Sequence, residues 1–289
     1  MMLLSEDERF RIHLGDAITH MAELPAASMD LAIFSPPFPK LYAYTSLPED
    51  IGNSEDLKGE AKVHLGYFYR QLARVMKPGR VVIVHVAQIP RMKRSGGQGL
   101  FDFRGLNIRL GERSGLVFEY DWAVRKNPQS QAIRTRSREL QFAGLESDRA
   151  RSRGSLPDYL LKFTSPGQNE TPVSSAGQVS RNDWIQWAEC CWSDIRENDT
   201  LNVKVARTEE ETQHICPLQL GLINRLIRLY SNPDEIVFSP FAGIGSEGHE
   251  ALKLGRRFYG SEIKPEYHRV AMVNLNAVAA TVHSQPTLF

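Results

Sequence analysis

The chain reads as an α/β protein built on a mostly parallel, doubly wound sheet, and three observations carry that reading. Short apolar runs alternate along the chain with segments whose apolar residues recur at helical spacing. Two runs, MDLAIF (Met29–Phe34) and RVVIVHV (Arg80–Val86), are almost uninterrupted, as strands buried on both faces are. A glycine-rich turn also follows one strand and opens a helix near the C-terminus.

The elements follow in order. RIHLGD (Arg11–Asp16) is a strand, with an apolar-periodic helix behind it to about Leu24. MDLAIFS is a second strand, and it must stop at Pro36–Pro37 because proline cannot donate to a ladder. The stretch Asp56–Met76 is a helix with Phe68, Leu72, Val75 and Met76 on one side, ended by Lys77-Pro78-Gly79. RVVIVHV, EYDWAVRK (Glu119–Lys126) and DYLLKFT (Asp158–Thr164) are strands. Beyond Pro166 the chain turns polar, and a Trp-bearing helix starts near Asp183. HICPLQLGLINRLIRLY (His214–Tyr230) has the spacing of one long amphipathic helix. Strand EIVFSP, helix SEGHEALKLG, strand RRFYGSEI and helix PEYHRVAMVNLNAV close the pattern, with no internal repeat.

Composition narrows the class. A hydrophobic fraction of 42% and a charged fraction of 24% over 289 residues are those of an ordinary soluble globular protein. No apolar run reaches membrane-spanning length, and MMLLSEDERF lacks the features of a secretory leader, so the expected location is the cytoplasm. Cys190, Cys191 and Cys216 form neither a disulfide framework nor a zinc pattern, and no metal is expected. The net charge of +1 conceals an asymmetry: Arg91 to Arg153 holds 14 basic against 7 acidic residues, an excess of +7 that leaves −6 for the remainder. Arg134, Arg136, Arg138, Arg149, Arg151 and Arg153 crowd into RTRSRELQFAGLESDRARSRG. That cluster is either a solvated loop or a footprint for a polyanion.

The turn SPFAGIGSEG places Gly243-x-Gly245-x-x-Gly248 between a strand and a helix, with Glu262 at the end of the next strand. Glycines admit close approach of a ligand to the backbone, and the acid can accept from ribose hydroxyls. A tight strand-to-helix turn without a ligand is the alternative. Ser239-Pro240-Phe241 precedes the glycines, which suits a ligand with an adenosine to stack and a charged amino-acid tail better than one with two phosphates. S-adenosylmethionine is such a ligand.

The tetrapeptide SPPF, Ser35-Pro36-Pro37-Phe38, fits chemistry at an exocyclic amino group. Such a nitrogen has its lone pair delocalised into the ring. Two acceptors on its hydrogens, one side-chain oxygen and one backbone carbonyl held by proline, can draw it towards tetrahedral geometry. An aromatic just beyond can stack on the base.

With these residues in view, SPPF resembles the catalytic [DNS]-P-P-[YFW] of the DNA amino-methyltransferases. FSPFAGIGSEG resembles their cofactor loop, and GSEIKPEY their second cofactor motif. The catalytic motif comes first, which is the circularly permuted order of the beta class, and the whole chain is similar to phage-type DNA methylases. The resemblance implies a Rossmann-like sheet, S-adenosylmethionine as cofactor and double-stranded DNA with a flipped target base as partner, without a membrane and compatible with a homodimer. It implies catalytic roles for Ser35, Pro36, Pro37 and Phe38. Asp16, His214, Phe238, Phe241, Gly243, Gly245, Ser246 and Glu262 are implied at the cofactor, with Phe238 and Phe241 either flanking the adenine or belonging to the core. Ser239 stands where the family usually has an acidic residue, so the holder of the methionine ammonium is open among Asp16, His214 and backbone carbonyls.

Among the enzymes it resembles, Ser before the prolines goes with N4 of cytosine and Asp with N6 of adenine, so the resemblance implies N4 of cytosine, with N6 of adenine as the alternative. C5 methylation needs a thiolate in a Pro-Cys context, whereas here Cys216-Pro217 runs in reverse. No general base is evident, and the methylated nitrogen is expected to lose its proton to water. The expected organisation is a catalytic half (1–126), an arginine-rich DNA-contacting insertion (127–157), a core strand (158–165), a target-recognition segment (166–205) and a cofactor half (206–289). Rival readings are a nicotinamide-dependent oxidoreductase, an inactive DNA-binding relic and a protein-glutamine methylase.

Overall fold

The structure, a computed structural model, describes residues 3–38, 49–53, 59–91, 99–135, 142–174, 178–201 and 217–284. Among them the strands are β1 (Phe10–Leu14), β2 (Met29–Phe34), β3 (Met76–Ala87), β4 (Ile89–Pro90), β5 (Leu100–Phe101), β6 (Val117–Val124), β7 (Asp158–Thr164), β8 (Cys191–Trp192), β9 (Ile236–Ser239) and β10 (Arg257–Glu262). The helices are α1 (Ala17–Glu23), α2 (Glu60–Val75), α3 (Phe103–Arg113), α4 (Pro128–Thr135), α5 (Phe142–Ser147), α6 (Arg181–Trp187), α7 (Leu220–Tyr230), α8 (Ser246–Lys253) and α9 (Pro265–Ser284).

Eight strands form one sheet in the order β1-β10-β9-β2-β3-β7-β6-β8. The five from β1 to β3 are mutually parallel, while β7 runs antiparallel between β3 and β6. Both faces are covered, which is why β2 is buried along its whole length. Ala32 and Phe34 point to the face under α1, α2 and α3, with Met21, Phe68, Leu72 and Phe103. Leu31 and Ile33 point to the opposite face, under α7, α8 and α9, with Leu222, Leu226, Ala251 and Leu275. The period-two alternation of one apolar strand thus serves two cores.

Two boundaries differ from the sequence expectation. The helix before Lys77-Pro78-Gly79 ends at Val75, since proline biases the residue before it away from helical geometry. The chain is already extended at Met76, and the β2–β3 register slips between Met29 and Leu31 to absorb the extra residues around Gly79, whose φ is +69°. The long amphipathic helix begins at Leu220, because Pro217 to Gln219 are not helical and Gln219 is its extended N-cap; His214 to Cys216 lie outside the described residues. No described helix is long and apolar enough to cross a membrane.

The N-terminal ends of the parallel strands are tied by a buried ionic cluster. Arg80, only 2% exposed, donates to the Asp30 carbonyl (2.8 Å), the Thr171 carbonyl (3.0 Å) and the Glu235 carboxylate. Asp30 in turn accepts from Lys77 (2.6 Å) and the Ile236 amide (2.9 Å). Arg228 and Arg256 hold Gln178, and Asn232 holds Pro172 and Ser174. Much of the polar segment after Pro166 is therefore fastened to the base of the sheet.

Candidate active site

A cleft of about 930 Å³, counting its open mouth, lies at the carboxyl ends of β1, β2, β9 and β10. In this strand order β2 leads outward to β3 and β9 leads the other way to β10, so the cleft sits at the topological switch point. Gly15 and Asp16 line it beyond β1, Ser35 and Pro37 beyond β2, Pro240 to Ile244 beyond β9, and Glu262 and Ile263 at the end of β10. Residues more than 200 positions apart in the chain meet there.

The glycine turn is held by its own backbone. Gly243 has φ +53° and Gly245 φ +88°, left-handed values that a side chain disfavours, and Gly245 caps α8. Gly248 serves packing: a Cβ there would meet Phe258 at 2.7 Å and Leu275 at 2.9 Å. Glu262, 7% exposed, accepts from the Gly243 amide (2.8 Å) through one oxygen and from the Lys264 amide (2.9 Å) through the other. Burial pushes its carboxyl up to about 7, only partly offset by those two bonds. Glu247, at the start of α8, is pushed by burial up to about 8.

These groups fit S-adenosylmethionine. Carboxyl groups of Asp16, Glu49, Asp50, Glu247 and Glu262 line the cleft, acceptors suited to the ribose hydroxyls and ammonium of such a ligand, whose positive charge favours their ionised forms. The Ser246 hydroxyl is buried in the wall without a hydrogen-bond partner, a polar atom left for a ligand. Phe241, Ile244, Ile51 and Tyr267 supply apolar wall, and the Phe241 ring packs 4.9 Å from Phe68 and 6.0 Å from Phe34.

The SPPF turn emerges directly from β2. Ser35 and Pro37 face the cleft, and Pro36 is buried. Phe38 is half-buried against the core, 5.2 Å from Phe103. Ser35 Oγ lies 2.9 Å from His85 Nδ1 and 3.1 Å from the His85 carbonyl oxygen. His85 Nε2 lies 2.9 Å from Asp158 Oδ2, and Lys126 Nζ lies 2.5 Å from the same atom. Burial alone would raise the Asp158 carboxyl, but its pairing with His85 and Lys126 overcomes that and holds it down at about 2.

The structure brings Asp16, Ser35, Pro37, Phe241, Gly243, Ser246 and Glu262 around one cleft. Phe238 is not among the cleft-lining residues. It is fully buried in the core, its ring 6.4 Å from Tyr259, because the alternation of β9 turns it under α1 and α2. Ser239 is also fully buried, its hydroxyl unpartnered, and does not line the cleft. His214, Arg136 and Arg138 lie outside the described residues. Arg134 falls in α4, and Arg149 and Arg151 in a short 3-10 turn where Arg149 is exposed; Arg153 donates to the Gly154 carbonyl (3.3 Å).

The segment expected to read bases divides in two. Residues 167–174 and Gln178 belong to the end of the sheet opposite the cleft, held there by Arg80, Arg228 and Asn232. The insertion between β6 and β7 leaves and returns at the cleft end, since Val124 and Asp158 pair there.

Sequence reading missed Glu49, Asp50 and Glu247 as cleft carboxyls, His85 as the partner of Ser35, and Asp158 and Lys126 as the pair behind His85. A signal existed for the latter: His85 is the one titratable residue inside VVIVHV, and Asp158 and Lys126 stand at strand ends.

Comparison with known proteins agrees with this architecture. The N6/N4 DNA methylase family model matches residues 29–273, and the chain belongs to that family. It is an S-adenosylmethionine-dependent DNA amino-methyltransferase. Type II methyltransferase M.BglII of Bacillus subtilis is 25% identical over 272 residues, 90% of this chain and 67% of that protein. DNA adenine methyltransferase YhdJ of Escherichia coli K12 is 24% identical over 275 residues, 92% of this chain and 82% of that protein. Among solved structures, the DNA modification methylase TTHA0409 of Thermus thermophilus, complexed with S-adenosylmethionine, aligns with a TM-score of 0.70 at 21% identity, covering 94% of each chain. The cytosine-N4-specific PvuII DNA methyltransferase aligns with a TM-score of 0.66 at 16% identity, covering 95% of this chain and 93% of that one.

Proposed function

We propose that this enzyme methylates N4 of cytosine in double-stranded DNA, taking the target base flipped out of the duplex. The observation that carries the reading is that Ser35, on the SPPF turn, shares one cleft with Gly243 and Glu262. A methyl donor cannot reach an amino group inside a stacked duplex, so the base must leave it. Ser35 would accept from one hydrogen of the amine and the Pro36 carbonyl from the other, while Phe38 would stack on the base. When bound, S-adenosylmethionine supplies the methyl group: the nitrogen lone pair forms the new N–C bond as the C–S bond breaks and its electron pair stays with sulfur. Glu262 would receive the ribose hydroxyls, Phe241 would flank the adenine, and the cleft carboxylates would hold the ammonium in place of the acid that Ser239 lacks.

The arginines of 127–157 would contact phosphates, and the part of 166–205 beyond α6 would be the section able to reach base edges. The expected setting is the cytoplasm, in a modification system like those of the type II relatives. N6 of adenine is the second reading, favoured by the name of the E. coli relative. The test is incubation of unmodified DNA with S-adenosylmethionine, digestion to nucleosides and mass spectrometry. N4-methylcytosine is the expected product; N6-methyladenine would overturn the choice of base, and no methylated nucleoside would overturn the DNA reading.

A further inference from the structure

The chain of polar groups behind Ser35 has no part in the reading above. Its members come from three places that the ladder brings level: His85 near the end of β3, Asp158 at the start of β7 and Lys126 just past β6. The side chains of His85 and Asp158 are 12% and 13% exposed and that of Lys126 is 6% exposed. Burying three titratable groups beside a run of valine and isoleucine is costly unless each is paired, and each is.

The pairing dictates the tautomer. An ionised carboxylate can only accept, so His85 donates from Nε2 to Asp158. In the neutral ring Nδ1 is then an acceptor, and the Ser35 hydroxyl donates to it. The other acceptor within reach of that hydroxyl is the carbonyl of the same histidine. With its proton committed to His85, Ser35 has a lone pair left for an incoming amine.

We propose that His85 is a positioning residue that acts through Ser35 and receives the proton the target amine must lose. The inference rests on the amino-methylation reading and replaces the expectation that water alone takes this proton. After giving its lone pair to the methyl carbon, the nitrogen carries a positive charge and one proton too many. That proton passes to Ser35 Oγ as the proton of Ser35 passes to His85 Nδ1. The products of this step are a neutral methylamino group, a neutral serine and an imidazolium. Asp158 balances the imidazolium, Lys126 keeps Asp158 ionised, and the imidazolium returns its extra proton to water before the next turnover. The charged groups that face His85 are Asp158 from β7 and, through it, Lys126 from beyond β6.

Two measurements test this. In the ligand-free protein, long-range 1H–15N spectra of the histidine rings should show His85 as the Nε2–H tautomer at neutral pH. A Nδ1–H tautomer would overturn the proposal whether or not any variant folds. The second is the rate of methyl transfer to unmodified plasmid DNA as a function of pH. His85→Asn keeps an acceptor near Ser35 that cannot take a proton. It should lower turnover about 100-fold, leave cofactor and DNA affinity within about twofold, and remove the fall in rate on the acid side. Asp158→Asn should shift that acid limb. A His85→Asn enzyme with the wild-type rate or the wild-type acid limb would overturn the relay while Ser35→Ala remained inactive. Retained methyl transfer in Ser35→Ala would instead overturn the reading of Ser35 itself.

Discussion

At the scale of single residues, the cleft wall carries two carboxyls that burial works against. Glu247 is pushed up to about 8, with the charge of Glu262 adding to the effect of burial, and Glu262 is pushed up to about 7. A carboxyl whose folded pKa exceeds its unfolded value near 4.5 stabilises the fold fully below that value. The contribution is lost as pH rises through 7 to 8. The Tm of the ligand-free protein should therefore fall between about pH 5 and pH 8. Differential scanning fluorimetry across that range should find a smaller fall in Glu247→Gln; an equal fall would show that Glu247 is ionised in the folded state. Asp158 works with the opposite sign. Its carboxyl sits at about 2, so its contribution is present above about pH 4 and is lost as the solution is acidified.

At the scale of elements, the core pattern was legible and the irregular elements were not. Strands β2, β3, β9 and β10 announce themselves as apolar runs, and α2, α8 and α9 by helical spacing. The helix α3, FRGLNIRLGER, was missed because two glycines weaken its propensity; packing of Phe103, Leu106 and Leu110 against the sheet overrides that. The two-residue strand β8 is too short to leave a pattern, and it exists because Trp192 packs on Trp122 and under the Arg225 guanidinium. The glycine turn was legible as a ligand loop, but the packing role of Gly248 needed the neighbouring strand. Gly248→Ala forces a methyl group against Phe258 and Leu275, and chemical denaturation should show a loss of about 1–3 kcal/mol. A loss near zero would mean that α8 shifts freely on β10.

At the scale of the whole molecule, the permuted motif order is resolved by the sheet. SPPF and the glycine turn are far apart in sequence and become neighbours because β9 inserts next to β2. That adjacency was implied by resemblance, whereas the relay behind Ser35 depends on the antiparallel β7 and could not be read from spacing. The same topology makes the insertion between β6 and β7, which carries Arg149 and Arg153, leave and return at the cleft end of the sheet. Replacing Arg149 and Arg153 with Ala should weaken DNA binding for all sequences alike and reduce the salt slope by about 0.9 for each phosphate left unneutralised. An unchanged slope in a fluorescence-anisotropy salt series would remove the insertion from the DNA interface.

The most direct test of one cleft with two divisions of labour is calorimetric titration of S-adenosylmethionine into Ser35→Ala and Glu262→Gln, paired with methyl-transfer rates. Ser35→Ala should bind the cofactor like the wild type and lose transfer by about 100-fold or more. Glu262→Gln should lose about tenfold or more in cofactor affinity. Loss of cofactor binding in Ser35→Ala, or undiminished binding in Glu262→Gln, would contradict the assignment of the two sides of the cleft.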